Sequence, residues 1–87
     1  MSQHGNVLLI EDDALYAGLL AETLQHEGFA CMVARSHAEA EQLLAAGTFD
    51  FIITDLYLAD EPAASILELV AAAPARNAPV IVITGHP

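Results

Sequence analysis

The 87-residue sequence has no lysine and only two arginines, Arg35 and Arg76, against twelve acidic residues, giving a formal charge of −10. A chain this poor in cations is ill suited to bind nucleic acid or an anionic membrane by itself, but it is well suited to bind a cation. Its one cysteine, Cys31, rules out an internal disulfide and, lying in an apolar stretch, is expected to be a buried thiol. No apolar run approaches the roughly 20 residues needed to span a bilayer, so no membrane association is expected. The opening residues, Met-Ser-Gln-His-Gly-Asn, lack the basic and apolar regions of a signal peptide, which leads to the expectation of a soluble cytoplasmic protein. There is no glycine-rich phosphate loop to support nucleotide binding and no Cys/His cluster to suggest zinc. The four histidines are scattered, and His4, His26 and His37 read as surface residues. Glu22, Glu27, Glu39, Glu41 and Glu68 read as solubilising charge.

What is present is strongly patterned. Apolar residues make up 55% of the chain, enough for one small folded domain covering residues 1–87. Residues 6–10 read as a short strand, apolar at every position from Val7 to Ile10, as expected of a strand covered on both faces. Leu15, Leu19, Leu20 and Leu24 recur at helical spacing over residues 14–27, and Gly28 follows where a helix end favours glycine. Residues 29–34 read as a second strand. Ser36-His37-Ala38-Glu39 matches a capping box and opens a second helix, with Ala40, Leu43 and Leu44 on its apolar face and Gly47 at its end. Residues 51–54 form a third strand that ends at Asp55, followed by a loop over 56–61. Pro62 suits the first turn of a third helix carrying Ile66, Leu67, Leu69 and Val70, which Pro74 stops. Residues 80–84 then read as a fourth buried strand.

The order βαβαβαβ implies an α/β fold, a doubly wound parallel sheet with helices on both faces. In such folds ligands bind beyond the carboxyl ends of the strands. Glu11, Asp12 and Asp13 follow the first strand, Asp55 ends the third and Thr84 ends the fourth. If the first and third strands are neighbours, these groups meet on one edge. Clustered carboxylates repel one another, and a hard divalent ion such as Mg²⁺, which prefers oxygen ligands, relieves the repulsion. An aspartate beside such an ion can act as a nucleophile toward phosphorus. The plainer roles are that Asp12 or Asp13 caps the first helix, that Asp55 starts a loop and that Thr84 is an ordinary strand residue. Each is reasonable alone, but together they leave unexplained why three strand ends carry suitable groups on one side.

The stretches VLLIEDDA, DFIITDLYL and VIVITGH resemble the first, third and fourth strands of a response-regulator receiver domain of two-component signalling, in the right order and spacing across nearly the whole chain. The resemblance implies a flavodoxin-like sheet in the order 2-1-3-4. It implies that Asp55 is the phosphoacceptor, that Glu11 and Asp12 hold Mg²⁺ together with Asp55 and the backbone carbonyl of Tyr57, and that Thr84 is the switch hydroxyl. Asp13, just past the acidic pair, is expected to cap the first helix. The implied partner is a histidine kinase or phosphotransfer protein, and the implied role is a signalling module, not an enzyme, that at most assists its own phosphorylation and dephosphorylation.

Two departures stand out. The loop after the acceptor usually carries a Leu-Pro pair and a later glycine, whereas here it reads Leu58-Ala59-Asp60-Glu61-Pro62-Ala63-Ala64. A complete receiver also continues into a fourth helix, a fifth strand with a phosphoryl-contacting lysine, and a fifth helix; these 87 residues carry none of that set, and His86 is a poor substitute for the lysine. A chain cut short in this way is expected to expose the edge of its fourth strand and to form a homodimer through it. A receiver-derived interaction module without efficient phosphotransfer is therefore a competing expectation. A metal-dependent phosphatase is disfavoured, because Tyr57 stands where the common aspartate-based phosphatases place a general acid.

Overall fold

The computed structural model describes residues 5–47, 49–55, 67, 68, 71 and 79–83. Four strands and two helices are defined among them: β1 (Gly5–Ile10), α1 (Ala14–His26), β2 (Phe29–Ala34), α2 (His37–Ala46), β3 (Phe51–Asp55) and β4 (Val80–Ile83). Residues 67, 68 and 71 are helical, while the rest of the expected third helix lies outside the described residues. The strands form one sheet in the order β2-β1-β3-β4, with all three pairings parallel. The expected flavodoxin-like arrangement is the one observed.

The register follows from side-chain alternation. Leu8 pairs with Met32 and Ile52, and Ile10 with Ala34 and Thr54. Leu8, Ile10, Ala34 and Ile52 point to one face and pack with Ala40 and Leu44 of α2, all of them essentially inaccessible. Val7 and Leu9 are equally buried on the opposite face, where α1 packs over β1 and β2. β1 is thus covered on both faces, which explains its unbroken apolar run. Phe29 and Phe51, on the two strands flanking β1, meet edge to face with ring centroids 5.9 Å apart.

Local chemistry sets the helix ends. Asp13 caps α1, its Oδ1 accepting from the Tyr16 N–H at 2.9 Å, as expected. Ser36 caps α2 by accepting from the Glu39 N–H at 3.1 Å. The second half of the capping box is displaced by one residue: Glu39 Oε1 accepts from the backbone N–H of Arg35 at 2.7 Å. Gly28, just after α1, has φ of +98°, a conformation that residues with a Cβ adopt only under strain.

Burial departs from the simplest reading of the sequence pattern in α1, in β4, at Cys31 and at His37. Leu15 and Leu19 do not face the core; they are 76% and 55% exposed, whereas Ala17 is buried and Leu20 and Leu24 are half-buried. At about 100° per residue, Leu15 and Leu19 lie almost opposite Ala17, so the four leucines form two stripes. β4 is not fully buried, since Ile81 and Val82 are 46% and 40% exposed, because it is the outer strand of the sheet. Cys31 and His37 are both half-buried, the first less enclosed and the second more enclosed than expected.

Candidate functional site

The carboxyl ends of β1 and β3 lie side by side because these strands are paired through Ile10 and Thr54. One residue beyond that pair, Glu11 continues the ladder on the other side, its N–H donating to the Ala34 carbonyl at 2.9 Å. Asp55 is the last residue of β3 and is 3% exposed. Sheet pairing thus carries a buried glutamate and a buried aspartate to the same edge, with the half-buried Asp12 beside them. One carboxylate oxygen from each of Glu11, Asp12 and Asp55 lies within 4.8 Å of the others.

Backbone hydrogen bonds shape this edge. Glu11 Oε2 accepts from the Asp13 N–H at 3.0 Å, which turns the chain from β1 into α1. Asp13 points to the helix, so of the three consecutive acids the first two serve the cluster and the third serves the cap. Thr54 is buried beneath, its hydroxyl donating to the Asp55 carbonyl at 3.1 Å. Three oxygen donors of this spacing match a hard divalent cation, which takes carboxylate ligands and keeps several waters. Two of them are held in place by β-ladders and do not depend on loops. Tyr57, Thr84 and His86 lie outside the described residues.

Sequence reasoning missed Arg35. It follows β2 on the same edge, and its Nη2 donates to the Asp12 backbone carbonyl at 3.4 Å. The available signal was its scarcity, as one of two basic residues, together with its place directly after a strand.

The chain matches the family model of the response regulator receiver domain over residues 7–87. It is 36% identical over 82 residues to the swarming motility regulation protein RssB of Serratia marcescens, covering 93% of this chain and 36% of that protein. Among solved structures it is similar to a response regulator protein from Burkholderia pseudomallei, determined with a phosphorylated aspartic acid, a calcium ion and citrate. The identity is 35% and the TM-score 0.82, over 94% of this chain and 48% of that one. The receiver domain of the sensor histidine kinase PA1611 of Pseudomonas aeruginosa, determined with magnesium in its active-site cleft, shares the fold. Its TM-score is 0.85 at 21% identity, over 99% of this chain and 70% of that one. The chain therefore spans little more than a third of RssB and about half of the Burkholderia protein.

Proposed function

This chain belongs to the response regulator receiver domain family, and from that membership we propose that it is a phosphoacceptor module of a two-component phosphorelay. In this reading residues 1–87 act as one receiver unit that takes a phosphoryl group on Asp55 from a histidine kinase or phosphotransfer protein. The supporting observation is the convergence of Glu11, Asp12 and Asp55 within 4.8 Å at the carboxyl edge of the sheet. The phosphorylated aspartic acid and calcium of the Burkholderia relative and the magnesium of the Pseudomonas fold neighbour agree with it.

Each residue has a distinct role. An Asp55 carboxylate oxygen attacks phosphorus. The bond from phosphorus to the donor's nitrogen or oxygen breaks, and the donor leaves with the electron pair. The product is an acyl phosphate on Asp55. Glu11 and Asp12, with Asp55 and the Tyr57 carbonyl, would hold Mg²⁺, which when bound neutralises negative charge on the transferred oxygens. The Thr84 hydroxyl would donate to one of those oxygens as the switch. The module does no enzymatic work beyond assisting its own phosphorylation and dephosphorylation, binds no nucleic acid directly and works in the cytoplasm.

The test is incubation with a small acyl phosphate and Mg²⁺, followed by intact-mass measurement. Addition of one phosphoryl group, lost in Asp55→Asn, is expected. Phosphate retained in Asp55→Asn overturns the assignment.

A second reading rests on a separate observation, the exposure of Ile81 and Val82 on the outer strand β4. An apolar edge strand is a template for pairing, and a homodimer through β4 would make the chain an interaction module. Light scattering decides: a monodisperse monomer unaffected by Ile81→Lys excludes the dimer.

A further inference from the structure

The phosphoacceptor reading poses an electrostatic problem. A phosphodonor is an anion, and here it must approach three clustered carboxylates on a chain of charge −10. In a chain with two arginines and no lysine, Arg35 is the one basic side chain among the described residues that reaches this edge. Its position is built into the fold. Ala34 pairs with Ile10 and accepts from the Glu11 N–H, so Arg35 emerges directly beside the residues of the cluster. Glu39 fixes the Arg35 backbone through its N–H, and Ser36 then starts α2.

The guanidinium itself is loosely held. Its bond to the Asp12 carbonyl is long, 3.4 Å, and the side chain is exposed. Such a contact contributes little stability and is readily exchanged. A guanidinium can instead grip a phosphate through paired N–H donors. Its charge acts in opposite directions on the two species that the site would bind, repelling a divalent cation and attracting an anionic donor.

We propose that Arg35 is the donor-capturing residue of this site, sacrificing some metal affinity to draw the phosphodonor toward Asp55. The proposal rests on the phosphoacceptor reading. A residue that merely braced the β1–α1 turn would on removal weaken metal and donor binding together, so opposite changes are the signature of the charge.

The experiment compares the full chain with Arg35→Gln and Arg35→Lys. Mg²⁺ affinity is measured by calorimetric titration. Phosphorylation of Asp55 by a small acyl phosphate is followed by intact mass across donor concentrations at saturating Mg²⁺. For Arg35→Gln, Mg²⁺ should bind about two- to threefold more tightly and half-maximal phosphorylation should need about two- to fivefold more donor, with the plateau rate unchanged. Added salt should narrow both differences, and Arg35→Lys should lie near the parent in metal affinity but between the two in donor requirement. A fall in both affinities, or no change in either, overturns the assignment of Arg35 while leaving the phosphorylated Asp55 intact. A parent chain that takes up no phosphoryl group overturns the phosphoacceptor reading and this proposal with it.

Discussion

Replacing Asp55 by asparagine should stabilise the metal-free chain, although it removes the residue on which the proposed function depends. One carboxylate oxygen from each of Glu11, Asp12 and Asp55 lies within 4.8 Å of the others, and Asp55 is buried. Two unit charges at that spacing repel by about 3.5 kcal/mol at an effective dielectric of about 20. Asparagine keeps the shape and removes the charge, relieving both pairs in which Asp55 takes part. Solvent reaching the half-buried Asp12, counterions, and the interactions that the carboxylate loses reduce the net gain to about 1–2 kcal/mol. For a domain of this size that raises the melting temperature by about 4–16 °C. Mg²⁺ should reverse the comparison. At a hundredfold excess over its dissociation constant it stabilises the parent by about 2.7 kcal/mol, and Asp55→Asn, short of one ligand, by much less. Thermal melts followed by circular dichroism, in chelator and in Mg²⁺, provide the assay. Asp55→Asn should melt above the parent in chelator and lose that lead in Mg²⁺. If the variant melts at or below the parent in chelator, and Mg²⁺ raises both equally, the three carboxylates are not a repulsive cluster awaiting a cation.

Two further outcomes follow from packing and burial. Leu44→Ala, deep in the sheet–α2 core, should cost about 2–5 kcal/mol in denaturant unfolding, whereas Leu19→Ala on the exposed stripe of α1 should stay within about 0.5 kcal/mol, and equal costs would contradict the observed face of that helix. Burial pushes the Cys31 thiol above its ordinary value, so alkylation should titrate at higher pH in the folded than in the unfolded chain. The associated stability is complete below the unfolded-state pKa and is lost as pH rises through the folded one, so Cys31→Ser should flatten the alkaline fall in melting temperature.

Much that depends on near neighbours is legible in the sequence. The unbroken apolar run of residues 7–10, the Asp13 and Ser36 caps and the glycine after α1 are each written in a few adjacent residues, and each is found where it was read. The alternation of strands and helices followed from the same signals, and with it the placing of carboxylates at strand ends. Which strands are neighbours is not a local property. Periodicity allowed several orders, and only the resemblance singled out the one in which β1 lies against β3 and Asp55 comes beside Glu11 and Asp12. Tertiary structure alone decided which leucines of α1 face inward, because two apolar stripes on one helix look equivalent until a sheet covers one of them. It alone decided that Asp50 should accept from the Asn6 N–H at 2.7 Å, beside Gly5, whose φ of +131° is one that residues with a Cβ rarely adopt and where an added Cβ would meet the Asp50 carboxylate. It also placed Arg35 over Asp12, since that contact depends on the pairing of β2 with β1, and long-range pairing sums many weak preferences along the whole chain that no short stretch contains.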